Sequence, residues 1–137
     1  MPANRKKICF LAETLNPHSG WGRLSREIIE RISKTKDYDV IILSGESSGY
    51  KNEVPVLGSG FLGIISSSIK ARRFMMECDI VHAIDGWPNA VMAALACLFL
   101  KKKLFITAVG TYSVLPLDRL FQGVLLRFAY RQAEKIL

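Results

Sequence analysis

The stretch "NPHSGWGRLS" (16–25) gathers residue types that can meet an anion. Gly20 and Gly22 let backbone amides approach a ligand without side-chain obstruction. The helical periodicity that follows points the positive end of a helix at the same place. His18, Trp21 and Arg23 are the loop's other polar and aromatic groups. On these residues alone two readings stay open: a phosphate-facing loop, or a turn eased by glycine between a strand and a helix. The dinucleotide fingerprint GxGxxG is incomplete, because Ser25 stands where the third glycine belongs, and the approach from the preceding strand is long. The absence of GK[ST] excludes a P-loop.

Three further groups could do chemistry. His82 lies within an apolar run, "DIVHAID", as a core residue or a ligand contact. Asp85 ends that run, either as a cap for the helix beginning near Trp87 or as an acceptor for sugar hydroxyls. "GTYS" (110–113) brings Gly110, Thr111 and Tyr112 to the end of another apolar run, with three hydroxyls in succession. Two histidines assemble no convincing Ser-His-Asp triad, and no candidate loop carries a close carboxylate pair. Cys9, Cys78 and Cys97 are far apart in sequence and lack zinc spacing, so they read as buried free thiols.

These groups need elements to position them. Apolar runs at 6–12, 39–45, 53–58, 79–85, 103–110 and 133–137 read as strands. Helical periodicity occupies 24–35, 61–77, 87–100 and 116–132 between them. In the last helix Leu117, Leu120, Phe121, Val124, Leu125 and Phe128 are expected to form the apolar face. Strands apolar on both faces, alternating with helices, predict an α/β fold: a doubly wound, Rossmann-like parallel sheet of order 3-2-1-4-5-6 with helices on both faces. Pro55 agrees with an edge position for the third strand. Ligands in such sheets bind beyond the carboxyl ends of the strands where strand order reverses, which selects residues 13–25, 45–48, 85–88 and 109–113.

The chain has 137 residues, enough for one domain with a real core, and a net charge of +7. Lysine-rich clusters at 5–7 and 101–103 precede strands and fall at the opposite, amino end of the sheet as solvated charge. No basic stripe interleaved with aromatics favours nucleic acid. "AVMAALACLFL" (90–100), the longest apolar run, is too short to span a bilayer, and the run after "RKK" is too short for a signal peptide. A cytoplasmic protein is expected. Lys70, Arg72 and Arg73 lie beside Ile69, Phe74 and Met75, a pattern that allows peripheral contact with the inner membrane face. The sequence ends inside a strand, as expected of a domain cut from a longer chain.

Together, "KICFLAE" opening into "SGWGRLSREI", "DIVHAID" and "ITAVGTYSVLP" resemble, in order and spacing, the amino-terminal domain of family 4 (group 1) glycosyltransferases with the GT-B architecture. The resemblance covers most of the chain. It implies that residues 1–137 are a single acceptor-side domain, with a carboxyl-terminal, donor-binding domain absent. It implies sugar transfer from a nucleotide-diphosphate sugar to a glycan, lipid or small-molecule acceptor, mostly with retained anomeric configuration and with no further cofactor or metal. By the same resemblance Gly20, Trp21, Gly22 and Arg23 form the loop facing the donor phosphates. His18, Asp85, Gly110, Thr111 and Tyr112 then fall on the acceptor side. Val109 and Ile84 stand where family members often carry histidines, so no catalytic residue is assigned. Alone, the domain is expected to be inactive. A non-catalytic binding module and an NAD-type Rossmann oxidoreductase are the alternatives.

Overall fold

The structure, a computed structural model, describes residues 4–137. Its centre is β1 (Lys6–Ala12), whose last five residues are all buried, as a strand covered on both faces requires. β2 (Tyr38–Ser44) and β4 (Ile80–Ile84) flank it in parallel, and β3 (Glu53–Val54), β5 (Lys103–Thr107) and β6 (Lys135–Ile136) complete a six-stranded sheet of order β3-β2-β1-β4-β5-β6. The strand order and the Rossmann-like α/β class match the sequence expectation. Strand order reverses between β1 and β4.

Side-chain alternation along the strands divides the interior into two cores. Cys9, Leu11, Leu43, Val81 and Ala83 face α2 (Gly60–Met75), α3 (Asn89–Ala96) and α4 (Leu120–Gln132). Ile8, Phe10, Ala12, Ile42 and Ile84 face α1 (Gly20–Lys34) through Ile28, Ile29 and Ile32. One face therefore carries one helix and the other three. α3 is nearly all buried, and its alanines let neighbouring helices approach closely.

Two helices differ from the expected pattern. α2 buries Ser67 and Ser68 with Ile64, Ala71 and Met75, while Phe61, Leu62, Ile65 and Ile69 lie exposed. The inward serines are satisfied: Gly58 N donates to Ser67 Oγ at 2.5 Å, and Ser68 Oγ donates to the Ile64 carbonyl at 2.7 Å. The predicted helix 116–132 is broken. A 3₁₀ turn, Leu115–Asp118, precedes α4, whose buried residues are Gly123, Leu126 and Ala129 rather than Leu120, Phe121 and Val124. Gly123 is needed there, since a Cβ would lie 2.6 Å from the Leu117 carbonyl oxygen. Other boundaries move in both directions: α3 ends at Ala96 and β5 at Thr107, short of expectation, while α1 begins at Gly20, four residues before its expected start. No described helix is long and apolar enough to cross a membrane.

Candidate functional site

The β1–α1 loop runs from Glu13 to Ser19 and is held from within. Asn16 N donates to Thr14 Oγ1 at 3.1 Å, His18 N to Asn16 Oδ1 at 3.0 Å, and Ser19 N to the Asn16 carbonyl at 3.1 Å. Arg26 reaches back from α1 to bond the Leu15 carbonyl, with its guanidinium 4.9 Å from the Tyr50 ring centroid. Ser19 caps α1 by accepting from Gly22 N at 3.3 Å.

The two glycines of this loop have different surroundings. A Cβ on Gly22 would lie 1.9 Å from the Asn16 carbonyl oxygen, so Gly22 lets the helix press against its own entry loop. Gly20 has nothing within 4 Å of its Cβ position and opens onto solvent at the first turn of α1. No acidic side chain occupies that turn, which leaves its positive end free of an internal counter-charge. His18 and Arg23 are exposed beside it.

Trp21 ties this loop to the one after β5. Gly110 has φ +71° and ψ −165°, a region open essentially to glycine alone, and a Cβ there would meet Trp21 Cη2 at 2.6 Å. The indole thus lies across the Gly110 backbone. Thr111 and Tyr112 are exposed in the turn that follows, and Val109 is half-buried.

Asp85 is buried and does not cap α3. It adopts φ +79°, and its Oδ1 accepts from Gly86 N at 2.7 Å and from Ser113 Oγ at 2.9 Å. Burial raises its pKa, an effect those two hydrogen bonds oppose. Trp87 N donates to the Tyr112 carbonyl at 3.0 Å, and Tyr130 Oη to the Ser113 carbonyl at 2.6 Å. Asp85 therefore joins the β4 and β5 loops, and its carboxylate already has partners. His82 is also buried, between Phe10 and Phe105, with Nε2 2.7 Å from Thr107 Oγ1. Burial lowers its pKa from 6.5 to about 4, so it is a neutral core imidazole at neutral pH.

A cleft of about 740 Å³ also lies at the carboxyl edge of the sheet, but none of the residues named so far as anion- or acceptor-facing lines it. Its polar wall is Glu13, Thr14 and Glu46, in which Thr14 Oγ1 donates to Glu46 Oε1. Its floor is the β4–α3 loop with Trp87, Pro88 and Asn89, and Asn89 is fixed by donating from Nδ2 to the Ile84 carbonyl at 2.9 Å. Its outer wall is mostly apolar, with Leu57, Phe61 and Ile64 before and within α2 and Phe121 of α4, and Ser59 and Gln122 as its polar members. Glu13, Glu46 and Trp87 fall in windows that the switch-point rule selects from sequence. Phe61 and Phe121 do not, since helical spacing assigns Phe121 to a core.

Glu53 faces away from this cleft into its own loop. Burial would raise its pKa, but hydrogen bonds from Ser48 N, Ser44 Oγ, Ser48 Oγ and Tyr50 N outweigh that and hold it low. Arg72 is likewise engaged, donating to the carbonyls of Ala96, the last residue of α3, and Leu98 just past it, at 3.0 and 2.6 Å. Lys70 and Arg73 are exposed. Among the described residues no cluster of His, Cys, Asp and Glu has the grouping of a metal site.

No family model matches the sequence, and no curated protein matches it. Solved structures do share the fold. A UDP-N-acetylglucosamine 2-epimerase matches with TM-score 0.68 and 9% identity, over 97% of this chain and 41% of its own. The UDP-GlcNAc 2-epimerase of Methanocaldococcus jannaschii matches with TM-score 0.66 and 15% identity, over 96% and 38%. An alpha-glucosyltransferase solved in complex with UDP and a 13-mer DNA matches with TM-score 0.58 and 17% identity, over 96% and 37%. The chain thus spans about two fifths of the length of the structures it resembles. At these identities the likeness establishes the Rossmann-like fold.

Proposed function

We propose that this chain is the acceptor-side half of a GT-B glycosyltransferase, acting on a nucleotide-diphosphate sugar held by a second Rossmann-like domain. The observation that carries the proposal is the first turn of α1. It stands at the sheet's switch point, opens at Gly20, and has no acidic residue to neutralise its positive end. The named nucleotide-sugar enzymes among the structural neighbours support the same reading.

In this mechanism the acceptor oxygen forms the new bond to the anomeric carbon as the bond to the nucleoside diphosphate breaks, and the hydroxyl proton leaves with the diphosphate. Negative charge grows on the leaving diphosphate as the glycosidic bond lengthens. The amides of Gly20 and Trp21 and the helix dipole stabilise that charge from across the interdomain cleft, a preorganised electrostatic contribution. Gly22 and Trp21 keep the loop in place, Gly22 by close packing on Asn16 and Trp21 by its contact with Gly110. The NAD-type reading is disfavoured by the loop between β1 and α1, which spans Glu13–Ser19 where a dinucleotide fold makes a tight turn.

The test is Gly20→Asp in the complete protein, with nucleoside diphosphate release from UDP- and GDP-sugars as the readout. A carboxylate at that position favours the helix dipole, so thermal stability holds or rises by a few tenths of a kcal/mol. Facing a diphosphate it is repulsive, and turnover is expected to fall at least tenfold. Unchanged turnover would reduce the loop to a turn.

A further inference from the structure

Resting on the glycosyltransferase reading above, and placing the acceptor in the carboxyl-edge cleft rather than at His18, Asp85 or Gly110–Tyr112, we infer that the acceptor is an amphiphile: a hydroxylated, uncharged head joined to an alkyl or acyl chain. The two walls of the cleft differ in chemistry. Glu13 and Glu46, with Thr14 between them in sequence and bonded to Glu46, present carboxylate oxygens suited to accept from sugar or polyol hydroxyls. The same two carboxylates disfavour an anionic head. Opposite them, Phe61 and Phe121 meet edge-to-face with ring centroids 5.5 Å apart, bridging α2 and α4 at the cleft.

The apolar wall continues out of the cleft. Phe61 and Phe121 are each 56% exposed, and Leu62 and Leu120 beside them are 79% and 91% exposed. Ile65 and Ile69 extend the strip along α2, and Val124 extends it along α4. α2 buries Ser67 and Ser68 beside Ile64, Ala71 and Met75, and leaves Phe61, Leu62, Ile65 and Ile69 on its outer side, where an ordinary surface helix carries polar residues. An extended apolar surface continuous with a polar-walled cleft matches a ligand with a polar head and an apolar tail. The head enters among Glu13, Thr14 and Glu46, and the chain lies over Phe61, Phe121 and Leu62.

The chain contains two tryptophans, Trp87 in the cleft and Trp21 on the Gly110 loop. Their indole N–H resonances, assigned with Trp21→Phe, report the two places separately. Methyl, hexyl and octyl β-D-glucopyranosides, each below its micelle concentration, are titrated into the protein. Trp87 is expected to shift while Trp21 does not. Affinity is expected to rise roughly tenfold from hexyl to octyl, less than full burial of two methylenes would give. Leu62→Ser/Phe121→Ser, at two exposed positions, flattens the chain-length dependence. Glu46→Gln weakens every glycoside alike, and octyl phosphate binds worse than octyl glucoside.

An unmoved Trp87, equal affinity for methyl and octyl glycosides, or a chain-length dependence that survives the double variant would overturn the inference. So would sedimentation showing a dimer that the double variant dissociates, because a second copy would then cover the strip. If Gly20→Asp abolishes nucleoside diphosphate release while alkyl glucosides leave Trp87 unmoved, the amphiphile inference fails alone. If the glucosides bind as described but Gly20→Asp has no effect, the donor-loop reading fails and the binding cleft stands.

Discussion

Gly20 and Gly22 are equivalent in sequence terms and opposite in structural terms, and alanine substitution separates them. At Gly22 the new methyl would lie 1.9 Å from the Asn16 carbonyl oxygen, a backbone atom, whereas ordinary contact begins near 3.4 Å. The loop or the helix must therefore move by more than an ångström. The loop is fixed by the hydrogen bonds of Asn16 N, His18 N and Ser19 N, and the cap bond from Gly22 itself shares the strain. Losing three or four such bonds, at about 1 kcal/mol each, puts the cost of Gly22→Ala at roughly 3–4 kcal/mol. For a domain of this size that lowers Tm by about 10 °C or more. Gly20→Ala meets open space and replaces glycine in a helical turn, so stability is unchanged or rises by a few tenths to about 1 kcal/mol. Urea unfolding followed by far-UV circular dichroism measures both. A cost below 1 kcal/mol for Gly22→Ala, or equal costs at the two positions, would refute the packing argument.

Other outcomes follow from the same geometry. Gly110→Ala is expected to cost about 2–4 kcal/mol, combining a glycine-only backbone with the Trp21 clash, and Trp21→Ala should relieve the clash alone, giving a measurable coupling in a double-mutant cycle. His82 binds its proton more weakly folded (about 4) than unfolded (6.5), so the unfolded state takes up the extra proton and stability falls as pH drops from 6.5 toward 4. The loss approaches about 3 kcal/mol, and His82→Gln should flatten that slope in denaturation measured across the window. The raised pKa of Asp85 has the reverse sign, with stability lost as pH rises through the folded value. Asp85→Asn, which tolerates a positive φ, should therefore match or exceed the wild type at neutral pH, whereas Asp85→Ala should be destabilised. Lys70→Ser/Arg73→Ser should weaken binding to anionic vesicles by roughly thirtyfold, at about 1 kcal/mol per charge, while Arg72→Ser should lower Tm instead because its guanidinium holds the carbonyls of Ala96 and Leu98 at the end of α3 and just past it. Vesicle flotation and thermal scans of the two variants decide between these effects.

The sheet order was legible because each strand carries its burial in consecutive apolar residues, and the crossover rule leaves few topologies for such a series. Pro55 marked the edge correctly, since a missing N–H is tolerated only where no further strand must bond. The helices were harder to read because periodicity finds an apolar stripe without saying what it faces. In α4 the stripe of Leu120, Phe121 and Val124 is real, but the helix packs through Gly123 against the Leu117 carbonyl and through Leu126 and Ala129 in the core shared with the alanine-rich α3. In α2 the serines go inward because Gly58 N and the Ile64 carbonyl offer them partners, a satisfaction that sequence spacing cannot display. Asp85 could be placed at a strand end from sequence, but its partner Ser113 is 28 residues away and emerges only from the fold. The cleft follows the same logic. The strand-end rule locates its polar wall at Glu13 and Glu46, while its apolar wall joins Phe61 of α2 to Phe121 of α4, a residue that periodicity assigned to the apolar face of its helix. The departure of α4 from its expected face therefore coincides with the surface proposed to take the acceptor's apolar chain, as expected where a local pattern serves a ligand rather than the interior.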